Sequence, residues 1–137
     1  MRRFMENKRK HLEFIQNIIT RMANNLFFLK GWTVTLIAGM FALYIKDANS
    51  SALAFVIFPL IIFWILDGYF LSQERQFRAL YDHVRKLKEK NIDFSMNTKK
   101  FHNWNNSWYC TMVSQTLLWF YSPLILIVLV FMYLLQK

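Results

Sequence analysis

Three long apolar runs dominate the chain: Leu26–Ile45, Ala52–Leu66 and Leu117–Leu135. A bilayer-crossing helix needs about 20 apolar residues. The first run reaches that length with Lys30 at the headgroups, where its stem can snorkel. The second reaches it when continued through Asp67 to Leu71, and the third carries no charge at all. The pattern therefore predicts spans at 26–45, 52–71 and 114–136, with a short outside turn at 46–51. Outside the spans a second periodicity runs on. Leu12, Ile15, Ile19, Met22, Leu26 and Leu29 recur every three or four residues, the stripe of an amphipathic helix over 8–30. Phe70, Phe77, Leu80, Val84 and Leu87 repeat the pattern over 72–91. Each stripe wants a partner, so the two helices are expected to extend the first two spans as an amphipathic hairpin. Lying flat on an anionic leaflet and pairing with other copies are the alternatives, and bundle assembly is favoured. From 92 to 113 the periodicity stops, giving a loop that returns the chain to the membrane.

Composition supports this reading. Of 137 residues, 55% are hydrophobic and 14 are Phe, more apolar surface than a water-soluble monomer of this size can bury. The expected fold class is an all-α integral membrane protein with three transmembrane helices, forming one unit over 1–137 and assembling as an oligomer.

Charge then sets direction. Residues 1–30 hold seven basic and two acidic groups, residues 67–116 hold eight and five, and the 46–51 turn is nearly neutral. The positive-inside rule puts the N-terminus and the 67–116 segment in the cytoplasm, and the C-terminus in the periplasm of a bacterial inner membrane. Trp32, Trp108, Trp119 and Tyr121 fall near the expected membrane edges, as an aromatic belt requires. The N-terminal stretch lacks the pattern of a cleaved signal peptide, so the first span is expected to stay attached.

Asp67 is the most informative polar residue, because a carboxylate after a purely apolar run is costly unless paired. Lys30 or Arg21 on the neighbouring helix would lie at similar depth. The bland role is an ion pair that fixes helix registry; the sharper one is a gate. Arg75, Arg78, Arg85, Lys86, Lys88 and Lys90, with Trp104 as a stacking surface, are candidates for an anionic ligand such as a nucleotide or oligonucleotide. The same charges would also serve topology and solubility alone. Enzyme chemistry finds no support: His11, His83 and His102 show no metal spacing, no phosphate-binding glycine loop occurs, and Cys110 has no partner for a disulfide. No catalytic residue, metal or cofactor is expected.

The segments Phe14-Ile15-Gln16, Arg21-Met22-Ala23-Asn24-Asn25, Leu29-Lys30-Gly31-Trp32 and Trp64 to Arg75 give residues 11–85 a likeness to a known kind of protein. They resemble small bacterial membrane proteins encoded beside nucleotidyltransferases, which act as effectors of anti-phage defence. The resemblance implies an oligomeric effector whose cytosolic face senses a nucleotide or DNA-like signal and whose spans then leak the inner membrane. It brings no catalytic motif and no site residue. A phage-type hole-forming lysis protein and a non-conducting membrane scaffold or accessory subunit are the alternatives from other classes.

Overall fold

In the computed structural model the described residues are 2–47 and 51–135, with side chains described over 3–44 and 55–134. Of the expected 46–51 turn, Lys46 and Asp47 end the first helix and Ser51 begins the second, while 48–50 lie outside the described residues, as does Lys137. Helix α1 runs from Arg2 to Asp47 and α2 from Ser51 to Lys86; a five-residue α3 follows at Trp108–Met112, then α4 at Gln115–Leu135. The fold is all-helical, and α1, α2 and α4 are each long and apolar enough to cross a membrane.

Helix α1 begins six residues earlier than its stripe suggests and continues without a break through Gly31. At 46 residues it is about 69 Å long, more than twice the hydrocarbon thickness of a bilayer. Helix α2, at 36 residues, is also too long for the membrane alone. Helix α4, at 21 residues, matches it. Pro59 in α2 and Pro123 in α4 lie inside helices, a placement that membrane helices tolerate.

The helices pack through two separate apolar clusters. In the spanning region Ile37, Val56, Leu60, Leu117, Tyr121 and Val128 join α1, α2 and α4. In the projecting region Ile15 and Ile19 of α1 meet Leu80 and Val84 of α2, and Ile92 of the following segment closes over them. The two stripes thus cover each other, with Phe77 and Leu87 packed at the margin, whereas Phe70 lies outside this cluster. Only 11%, 28% and 17% of the apolar windows of α1, α2 and α4 is buried within the chain, so most of their surface needs lipid or another protein around it.

Helix α2 ends at Lys86, five residues short of the end of the expected 72–91 helix, and the expected 92–113 loop is not a plain one. Three one-turn 3-10 segments, Glu89–Asn91, Lys99–Phe101 and Trp104–Asn106, carry the chain back along α2. Between the first two, Asp93, Ser95 and Asn97 each accept the amide hydrogen two residues ahead, at 3.0, 3.2 and 2.9 Å. Such turns satisfy backbone donors without a sheet or helix. Helix α3 then starts at Ser107, whose side chain caps the amide of Cys110.

Candidate functional site

The spans meet at one buried polar junction. Asp67 of α2 is fully buried, and its Oδ2 accepts from Lys30 Nζ of α1 at 2.7 Å and from Tyr121 Oη of α4 at 3.1 Å. A single carboxylate oxygen therefore ties all three long helices together. Its other oxygen, Oδ1, has no hydrogen-bond partner among the described residues. Burying a carboxylate costs several kcal/mol, which an ion pair offsets only with good geometry and further hydrogen bonds. Lys30 and Tyr121 supply both, and Lys30 also lies over the ring of Phe120, 5.5 Å from its centre. Trp64 stacks on Tyr121 with ring centres 5.7 Å apart and holds the phenol in place.

Immediately beside Asp67, α3 presses against α2. Gly68 is the reason it can. A Cβ at Gly68 would overlap the Met112 side chain and lie 3.4 Å from the Met112 Cα. The close approach lets Thr111 Oγ1 donate to the Gly68 carbonyl at 2.8 Å, Trp64 Nε1 to the Met112 carbonyl at 2.9 Å, and Trp108 Nε1 to the Ile65 carbonyl at 3.0 Å. Gly68→Ala is expected to destabilise the fold by about 1–3 kcal/mol through overpacking, despite alanine's better helix propensity. Thermal unfolding in mild detergent checks this, with Gly68→Ala/Met112→Ala recovering part of the loss.

Farther out, Ser72 Oγ donates to the Asn106 carbonyl at 2.5 Å and Arg75 Nη1 to the Asn105 carbonyl at 3.2 Å. The returning segment is thus stitched to α2 from Gly68 to Arg75. Arg75 is used for this structural contact. Arg78 pairs with Glu74 and Arg85 with Asp82, whereas Lys86, Lys88, Lys90 and Trp104 are exposed. Arg75 and Arg85 lie ten residues apart on α2, about 15 Å, so these candidates spread along the hairpin instead of gathering in one place. Arg21 is not a partner of Asp67. It stands nine residues before Lys30 on α1, about 13 Å away, exposed at the side of the projecting hairpin.

Sequence reasoning missed Tyr121 as a partner of Asp67, because an aromatic near a membrane edge reads as belt. It also missed His11. That side chain is buried on α1 with Nε2 unpartnered among the described residues, and the edge of Phe94 packs against its ring at 5.5 Å. Phe94 itself holds a left-handed backbone conformation, φ 54°, uncommon for a bulky residue. Burial pushes the His11 pKa below its ordinary value, with the nearby Asp93 carboxylate opposing the shift. A depressed histidine pKa means that stability is intact above the ordinary value, about 6.5, and is lost as pH falls through the folded-state value. The hairpin is therefore expected to loosen in acid. Thermal unfolding at about pH 7.5 and about pH 5.5 checks this: acid should lower the midpoint of the parent more than that of His11→Phe.

Among the described residues no three His, Cys, Asp or Glu side chains gather as metal ligands would. No protein-family model matches the chain, nor does any curated protein or solved structure.

Proposed function

We propose that the protein is a membrane effector that works as an assembly of several copies. It breaches the barrier of a bacterial inner membrane when its cytosolic hairpin receives a signal. The observation that carries this reading is the continuity of α1 and α2 across the level of the Lys30–Asp67 pair. Each helix is one unbroken rod, held outside the bilayer by Ile15, Ile19, Leu80 and Val84 and at the junction by a buried ion pair. A displacement at the hairpin tip would turn the same rods at Asp67, where Tyr121 links them to α4. Interfaces of this kind switch between discrete arrangements instead of deforming continuously.

Several features support the rest of the reading. The basic bias of residues 1–30 and 67–116 favours a cytoplasmic N-terminus and a periplasmic C-terminus. Phe55, Phe58 and Leu126 face outward from the spans and offer apolar surface to lipid or to other copies. The exposed Lys86, Lys88, Lys90 and Trp104 suit a nucleotide or oligonucleotide as the trigger. The likeness of residues 11–85 to defence effectors makes phage infection the natural stimulus. The role is one of gating and leakage, with no catalytic step.

The test is expression in bacterial cells loaded with a membrane-potential dye, with and without phage infection. Depolarisation on infection, weakened in a Lys30→Leu variant present at equal level, is the expected outcome. Depolarisation on expression alone would favour a hole-forming lysis protein. No depolarisation under any condition would leave a non-conducting scaffold as the better account.

A further inference from the structure

The side of the projecting hairpin carries a groove that the ion-pair junction does not explain. Its cavity, about 860 Å³, runs along α1 from Asn7 to Arg21, with Phe94 and Met96 of the returning segment forming the opposite wall. Arg21 stands fourteen residues beyond Asn7 on the helix, which makes the groove about 21 Å long, four turns. Phe14, Ile18, Phe94 and Met96 make its lining mainly apolar, and Asn7, His11 and Asn17 add polar positions along α1. Phe14 is 63% exposed, sixteen residues before Lys30 on α1. Lys10 stands near one end and Arg21 at the other, eleven residues or about 16 Å apart.

We propose that this groove docks an amphipathic helix of a partner protein, one whose apolar stripe is flanked by acidic residues. The dimensions fit helix-in-groove recognition, in which anchors at three- and four-residue spacing enter an apolar slot. Met96 and the aromatic walls provide adaptable apolar contact, and the two basic ends set the polarity of the occupant. Charge also decides against a second copy of this chain. The chain carries a net charge of +9 and only eight carboxylates. Asp67 and Glu74 are buried beside Lys30 and Arg78, and Asp82 is paired with Arg85. The other five are Glu6, Glu13 and Asp47 on α1, a helix that also carries eight basic residues, and Glu89 and Asp93 beyond α2, so no helix of a second copy offers net acidic charge. The exposed Lys10–Glu6 pair is weak and exchanges readily for a partner carboxylate. Arg21 makes no ion pair among the described residues.

The inference concerns association only, so its test reads binding and is independent of membrane leakage. Full-length protein in phosphatidylcholine nanodiscs is titrated into a fluorescein-labelled helical peptide of about 18 residues, with a leucine stripe and glutamates about three turns apart. A version with lysine in place of glutamate and empty nanodiscs serve as controls. Expected is a saturable rise in anisotropy for the acidic peptide, weakened about tenfold by Arg21→Glu and by Phe14→Ser, and unchanged by Lys86→Ser. Both weakening substitutions are at exposed positions, and circular dichroism confirms that the helices persist. Equal binding of the two peptides, absence of saturable binding, or indifference to Arg21→Glu and Phe14→Ser would overturn the proposal. So would a drop in the light-scattering mass of the particle on Phe14→Glu, which would mean that another copy already fills the groove.

Discussion

Replacing Lys30 by leucine is expected to destabilise the protein by about 3–5 kcal/mol, the cost of breaking a buried ion pair from one side. The asymmetry of the pair makes the experiment informative. Asp67 has no access to solvent, whereas the Lys30 side chain is 24% exposed and can swing toward the headgroups. Loss of Lys30 therefore strands a buried carboxylate with only Tyr121 beside it. Asp67→Asn is expected to be milder, because the amide still accepts from Tyr121 and the freed ammonium can reach water. The double variant Lys30→Leu/Asp67→Leu should recover most of the loss, since apolar pairs of similar volume replace buried ion pairs with little penalty. Thermal unfolding in mild detergent across the four proteins measures these differences. If Lys30→Leu proved no worse than Asp67→Asn, the burial assigned to Asp67 would be wrong.

The second large effect is expected at the other cluster. Ile15 is fully buried between α1 and α2, fifteen residues before Lys30 on α1. Ile15→Ala should cost about 2–5 kcal/mol by the usual combination of lost burial and a residual cavity. That loss falls on a region held by few buried side chains, so opening should be local, leaving the spans packed. Limited trypsin digestion of protein in nanodiscs reads this directly. Cleavage after Lys10 and Arg21 should accelerate in Ile15→Ala, while the fragment containing α4 stays intact. Uniform loss of all three spans would mean that the hairpin and the membrane region unfold as one unit.

Much of this architecture was legible in the residues. The three apolar runs and the two stripes specify long helices, because their spacing matches a helical turn and a bilayer thickness. The need of Asp67 for a basic partner was legible too, as a carboxylate after an apolar run demands a cation at its depth. What could not be read was which cation, since Arg21 and Lys30 differ only in where α1 meets α2. Register between two rods is set by side-chain interlocking, which periodicity does not encode. Residues 92–113 were opaque for another reason. Their order comes from Asp93, Ser95 and Asn97 capping their own backbone and from Gly68 admitting α3, contacts that leave no repeating pattern. His11 looked like one of three unrelated histidines until the fold buried it beneath Phe94.

The proposed role depends on several copies acting together around a path through the membrane. Cryo-electron microscopy of particles purified in mild detergent determines subunit number and the lining of any central axis in one measurement. A closed ring is expected, with α1 or α2 facing the axis and the Lys30–Asp67–Tyr121 junction holding each subunit's helices behind it. A monodisperse three-span monomer, with no axis between copies, would contradict the effector reading.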